Sequence, residues 1–260
     1  MILDTINGIF DSHAHYDDKA FDQDREALLS SLPEKGVARV VDVGSDLQSS
    51  AIAAILSQSH SFLYFAAGIH PSMVEGLKPD YLTKLKKLLR QNKAVALGEI
   101  GLDYHYGKEN AALQRDVFEA QMHLAQEEKI PVIIHTREAT QDTLKILKRF
   151  PTVKGVVHCF SGSAQTALQL VQMGYYIGFT GVVTFNNAKK AAEAASVVPL
   201  DRLLVETDCP YMAPVPFRGN RCDSTMLPAT ITKLAQIHQL EPQQVADLTY
   251  QNAARLFGIK

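Results

Sequence analysis

Cysteine is scarce in these 260 residues: Cys159, Cys209 and Cys222 are the only three, and none stands in CxxC spacing. A sparse, odd set of this kind excludes a disulfide framework and a structural zinc module, and it predicts a reducing, cytoplasmic setting. Neither charge sign dominates. Lys plus Arg total 26 against 28 for Asp plus Glu, a net charge of -2. That excludes a protein whose affinity comes mainly from coating a phosphate backbone, but not an enzyme that grips one phosphate locally. Long apolar runs are missing as well. No stretch approaches the roughly 18 apolar residues of a membrane helix. Met1 to Phe10 lacks the basic start, apolar run and cleavage site of a signal peptide, so no membrane association is expected. Glycine and proline are not in excess and low-complexity tracts are absent, which excludes disorder. No HExxH, GxSxG or P-loop signature occurs, and no GxGxxG follows the first strand pattern.

What is present is a 46% apolar chain, ample for a large core. Short β-rich runs at residues 8–13, 38–43, 63–68, 94–99, 132–135, 155–158, 175–179 and 203–206 alternate with helical patterns. Amphipathic stretches at 25–32, 81–90, 113–128, 142–148 and 164–173 lie between them, with apolar residues at helical spacing, as in Leu82, Leu85, Leu88 and Leu89. Alternation of this kind implies right-handed βαβ units and a parallel sheet. Eight strands in this length predict a (β/α)8 TIM barrel, a single domain over residues 1–260, with 227–238 and 243–257 as closing C-terminal helices. A doubly wound open sheet is the competing architecture, and the missing glycine-rich turn counts against it.

The apolar runs end on residues that bind metals. The first delivers Asp11-Ser12-His13-Ala14-His15, with two histidines two apart, which an extended strand turns to one face. The others end at or just before Glu99, His135, His158 and Asp208. Barrel active sites form at the C-terminal strand ends, where all of these positions fall. Strands one and eight become neighbours on closure, so His13, His15 and Asp208 can form one cluster. Strands four, five and six are consecutive, so Glu99, His135 and His158 can form a second. Two clusters predict two divalent cations, one carboxylate bridging. Imidazole-rich ligation favours zinc, manganese or iron on softness, whereas availability favours magnesium.

Around these, Asp103 is placed to orient a ligand imidazole. Glu206 is either a support for the ligands or a barrel-interior carboxylate. Cys159 and Cys209 read as packing residues, because strand alternation turns Cys159 away from the face of His158. A Cys159–His158 nucleophile pair fails for the same reason. His70, in Gly68-Ile69-His70-Pro71, with Arg137 and Arg218, are candidate contacts to a substrate phosphate, guanidinium donors matching phosphate oxygens. His60, His105, His123 and His238 receive no role.

At these residues the chain resembles the TatD family of metal-dependent deoxyribonucleases, within the amidohydrolase-like barrels. Asp11-Ser12-His13-Ala14-His15, Gly68-Ile69-His70-Pro71, Gly98-Glu99-Ile100-Gly101-Leu102-Asp103-Tyr104, His135-Thr136-Arg137, His158-Cys159-Phe160-Ser161-Gly162 and Glu206-Thr207-Asp208-Cys209-Pro210-Tyr211 look like the family's motifs in order, from Asp11 to about Phe257. The resemblance implies that His13, His15, Glu99 and Asp208 hold one metal and that Glu99, His135 and His158 hold the other, with Glu99 as the bridge. The family's later loop usually reads Arg-Gly-Lys, where this chain has Arg218-Gly219-Asn220-Arg221-Cys222-Asp223, and Tyr16 stands where the family often has Leu or Phe.

The expected activity is therefore hydrolysis of a phosphodiester at a DNA end, 3′–5′ exonuclease action being one form of it, by a water that two metals activate, with Asp208 as proton acceptor. The alternatives are a metal-dependent hydrolase of a small ester, lactone, amide or phosphoester, and a non-catalytic metal-binding scaffold. No obligatory protein partner is expected.

Overall fold

Eight strands and nine α-helices alternate along residues 6–260, the residues described by this computed structural model. Strands β1 (Ile9–Ala14), β2 (Val37–Val43), β3 (Leu63–Ala67), β4 (Ala94–Asp103), β5 (Val132–Arg137), β6 (Gly155–Val157), β7 (Tyr176–Phe179) and β8 (Leu203–Val205) form one parallel sheet in sequential order. Seven helices follow strands β1 to β7 in turn: α1 (Arg25–Ser31), α2 (Leu47–Ser59), α3 (Tyr81–Leu89), α4 (Ala111–Glu128), α5 (Thr140–Arg149), α6 (Ala164–Gln172) and α7 (Lys189–Val197). Two more, α8 (Leu227–His238) and α9 (Pro242–Phe257), end the chain. The expected barrel is the fold, and each expected strand overlaps an observed one. The signal-peptide reading of the first residues lies partly outside the described residues.

Strand alternation sorts the core into two layers. Phe10, Ala66, Ala96, Ile133, Val156 and Leu204 point into the barrel, while Ile9, Ala67, Leu97, Ile134, Val157 and Val205 face the helices. Phe10 meets the rings of Tyr250 and Phe257 from α9 at centroid distances of 5.6 and 6.1 Å, so α9 covers the end from which the strands start. Helices α2 and α7, absent from the amphipathic stretches named above, bury small residues instead of an apolar stripe. These are Ser50, Ala53, Ala54 and Ser57 in α2, and Ala191, Ala194 and Ala195 in α7. A reciprocal cap between Asp46 and Ser49 starts α2.

The barrel closes at a seam between β1 and β8 rather than by a regular ladder. The Asp208 N–H donates to the His13 carbonyl and the His15 N–H to the Cys209 carbonyl, both at 2.9 Å. Side chains complete the seam. Asp11, fully buried, accepts from the Thr207 N–H at 3.0 Å, the Thr207 hydroxyl at 2.7 Å and the Ser224 hydroxyl at 2.7 Å. Burial pushes its pKa up to about 6 against the pull of those donors.

Replacing Asp11 by Ala removes the acceptor that these three donors share with the His13 N–H, which lies 3.3 Å from Asp11 Oδ1. We expect Asp11→Ala to cost about 2–4 kcal/mol, read as a lower urea midpoint, and to weaken metal binding because His13 and Asp208 are tied across the same seam. An unchanged midpoint would refute this account of closure.

Candidate metal centre

Six side chains from five strand ends converge at the mouth where the strands finish. Three arrive by alternation. His135 follows inward-facing Ile133 on β5, His158 follows Val156 just past β6, and Asp208 lies beyond β8, two after the inward Glu206. The other strand ends need a departure from alternation. Leu97 and Ile100 both face the helices, pairing with Val132 and Ile134, so β4 holds three residues' advance against two on β5. This bulge turns Glu99 into the barrel, where strict alternation from Leu97 would send it out to the helices. Gly98 permits the close strand approach, since a Cβ there would stand 2.6 Å from the Ile133 Cβ. A matching shift between Asp11 and Ala14 against Val40 and Asp42 re-aims His13, which alternation from Phe10 would turn outward. The expectation that His13 and His15 share a face holds as a result, but through a bulge rather than through a regular strand.

His13 Nε2 lies 3.0 Å from His15 Nε2 and 3.6 Å from both Asp208 Oδ1 and Glu99 Oε2. His15 Nε2 is 3.3 Å from Asp208 Oδ1 and 3.7 Å from Glu99 Oε2. An ion with about 2.0–2.1 Å bonds in a tetrahedral site sets its donors about 3.3–3.4 Å apart, in the middle of these values. The other oxygen, Glu99 Oε1, is 2.8 Å from His135 Nδ1 and 2.6 Å from His158 Nε2, and those nitrogens are 3.3 Å from each other. The donor set is chemically and spatially fit to hold divalent cations.

The far sides of two rings fix which nitrogen is free. His15 Nδ1 is 2.6 Å from the Val43 carbonyl, which can only accept, so the proton sits on Nδ1 and Nε2 keeps its lone pair. His135 Nε2 contacts Asp103 Oδ2 at 3.1 Å, which leaves Nδ1 toward Glu99. Asp103 thus orients His135, as its position implied. His13 and His158 stack with centroids 4.0 Å apart.

Without a cation, protons take up the charge. Burial pushes His15 down, but its hydrogen bond to Asp208 and the charges of Asp208, Glu99 and Asp17 outweigh that and raise it to about 10. His135 rises to about 9 against burial, through Asp103 and Glu99. Burial, helped by the His158 charge, lowers His13 to about 4. Glu99 is held far below the usual carboxylate range, because the charges of His158 and His70 and the hydrogen bonds of His13 and His135 overcome its burial.

His70 belongs to a different class. The Ser72 N–H donates to its Nδ1 at 3.1 Å, so the ring proton must sit on Nε2, which faces the site 3.6 Å from Glu99 Oε1. Nε2 is therefore a hydrogen-bond donor and not a lone pair. Burial lowers this histidine to about 4 and keeps it neutral near pH 7.

The cleft above these residues encloses about 680 Å³ and is also lined by Arg137, Tyr106, Tyr211 and Met212. Arg137 is held over the Tyr106 ring at 5.5 Å. Arg218 stacks on Phe185 at 4.3 Å and lies outside the residues that line this cleft. Cys159 departs from expectation. β6 ends at Val157, Cys159 takes a left-handed conformation with φ of 43°, and it lines the cleft. Alternation does not apply once the strand has ended. Cys209 is fully buried, as expected of a packing residue. Glu206 is a barrel-interior carboxylate, accepting from the Cys159 N–H at 2.5 Å and the Ser12 hydroxyl at 3.2 Å, with burial raising it to about 7. Sequence reasoning missed Asp17, Tyr106, Tyr211 and Met212, whose loops carry no periodic signal.

Metal and protons compete for the same atoms, which fixes the sign of the pH dependence. His15 and His135 titrate near 6.5 when unfolded and near 9 to 10 in the metal-free fold. Their stabilising contribution is complete below about pH 6.5 and lost as pH rises through 9 to 10. We expect the urea midpoint of metal-free protein to fall over that window. Zinc binding followed by calorimetry should release about two protons at pH 7 and tighten from pH 6 to 8. Affinity independent of pH would contradict the assignment.

The family model described as TatD related DNase matches residues 10–258. The chain is 39% identical over 253 residues to the uncharacterized metal-dependent hydrolase YabD of Bacillus subtilis, covering 96% of this chain and 99% of the other. It is 36% identical to the uncharacterized metal-dependent hydrolase YcfH of Escherichia coli, covering 96% of each. The crystal structure of YjjV, a TatD homolog from Escherichia coli, superposes with a TM-score of 0.92 at 32% identity, covering 97% of this chain and 99% of that one. The barrel, the order of its motifs and the clustered donors at its mouth agree with these likenesses. The chain belongs to the TatD family of metal-dependent hydrolases.

Proposed function

We propose that the protein hydrolyses phosphodiester bonds, with DNA as the substrate class, at a centre of two divalent cations. The observation that carries this reading is the division of Glu99, whose Oε2 faces His13 and His15 while its Oε1 faces His135 and His158. Asp208 serves the first group alone, as its nearness to His13 and His15 indicates. When bound, such ions make water acidic and neutralise charge on a phosphoryl group. Nitrogen-rich ligation favours zinc, manganese or iron.

The chain's own residues supply the rest. In the metal-free fold the hydrogen bond from protonated His15, together with the charges of His13, His158 and His15, outweighs burial and keeps the Asp208 carboxyl below its ordinary range, so it is ionised and able to take a proton from the attacking water. His70 Nε2–H is directed to donate to a non-bridging phosphate oxygen, a role its Ser72 contact prepares. Arg137, braced by Tyr106, offers a charged fork at the cleft wall. Tyr106 and Tyr211 are 84% and 56% exposed beside the catalytic cleft, where aromatic faces suit stacking by bases. Three free cysteines are consistent with a cytoplasmic location, which belongs to this proposal. Asp17 and Asp18 also line the cleft and disfavour a long polyanion, which supports a second reading in which the substrate is a small ester or phosphoester.

Metal-loaded protein assayed on DNA, RNA, bis(p-nitrophenyl) phosphate and carboxylic esters decides between them. Cleavage of DNA with strong salt dependence is the expected result, and turnover of carboxylic esters alone would overturn the phosphodiester reading. Glu99→Ala should retain the fold by circular dichroism, lose bound metal and drop kcat by about a thousandfold or more. His70→Ala and Arg137→Ala should keep the metal, with Arg137→Ala acting mainly on KM and His70→Ala on kcat by roughly 10- to 100-fold.

A further inference from the structure

A second cavity, of about 410 Å³, opens beside the catalytic cleft and shares Thr136, Arg137 and Ser161 with it as a common wall. It is the size of a small-molecule site, about 300–1,000 Å³ in general. Its base is apolar, formed by the buried Leu144, Phe160 and Leu170. Hydroxyls of Thr140, Thr143 and Thr166 line its sides, and Lys190 at the start of α7 reaches it from the far wall. Its only acid, Glu138, is 2.6 Å from His105 Nδ1. Arg137 and Lys190 face the cavity as cations with no ion-pair partner among the described residues, unlike Lys86, Arg90 and Arg149, which are paired.

We infer that this side cavity is a subsite for the nucleotide unit next to the scissile phosphodiester. Its planar base lies over the Phe160 and Leu144 surface, and its own phosphate is taken by Arg137 and Lys190. The inference rests on the phosphodiester reading and deepens it. An apolar base flanked by threonines, with two cations outside any ion pair on its walls, suits a molecule that is aromatic at one end and anionic at the other. The shared wall places such a unit within one connected space with the metal centre. Arg137 then sits between two phosphates of one strand, which explains why its guanidinium is braced on an aromatic ring rather than locked to a carboxylate.

The test has a binding arm that needs no turnover. Thymidine 5′-monophosphate is titrated into metal-free wild type, Lys190→Gln, Lys190→Glu and the cavity-filling Thr166→Phe. Lys190 is exposed, so its variants are expected to fold. Dissociation constants should rise about tenfold in Lys190→Gln and Thr166→Phe and further in Lys190→Glu. Equal affinity in all four proteins overturns the inference. In the kinetic arm, the ratio of kcat/KM for a short oligonucleotide to that for bis(p-nitrophenyl) phosphate should fall about tenfold in the same variants. An unchanged ratio also counts against the subsite. If the metal-loaded wild type cleaves neither substrate, the phosphodiester reading fails, and the binding arm still decides the cavity.

Discussion

A single buried carboxylate organises the catalytic end of this barrel. Glu99 is 4% exposed, and its two oxygens face two separate sets of imidazoles. An anion taken out of water needs cations close on every side, or it gives up its charge. The surrounding histidines meet that need in two ways, by taking protons or by sharing a metal ion. The same electrostatic demand raises His15 and His135, lowers Glu99, and makes the cluster a trap for divalent cations.

Placing that carboxylate requires the strand pattern to break. A regular β4 would turn Glu99 toward the outer helices and away from these histidines. The extra residue at Gly98-Glu99 turns it inward, and the corresponding irregularity in β1 does the same for His13. Both distortions lie in strands whose neighbours stay in regular register, so the barrel carries them. The seam between β1 and β8 follows the same logic. Asp11 and Thr207 replace part of a ladder with side-chain bonds and bring Asp208 beside His13 and His15.

Around this centre the histidines divide by what holds their other nitrogen. A backbone carbonyl on His15 and a carboxylate on His135 leave lone pairs facing inward, whereas an amide N–H on His70 leaves a proton facing inward. Three residues of one type thus present two kinds of atom to the cleft, a lone pair from His15 and His135 and an N–H from His70. That division, and the asymmetry between an acidic cleft edge at Asp17 and Asp18 and a basic wall at Arg137, gives the cleft a direction.

By itself the sequence determined the barrel, because eight β-rich runs alternating with helices admit few topologies and closure makes the first and last strands neighbours. It also determined which residue types end those strands, and His135 and His158 follow directly from period two. Helices α2 and α7 were less legible, since small residues fill their buried faces and leave no apolar stripe. The tertiary structure alone decided the direction of Glu99 and His13, because a bulge is a property of pairing between strands and not of one strand's pattern. It alone separated His70 from the metal donors, through a contact with Ser72. It also set Arg218 against Phe185 and left Cys159 at the cleft, since loops beyond a strand end obey packing rather than periodicity.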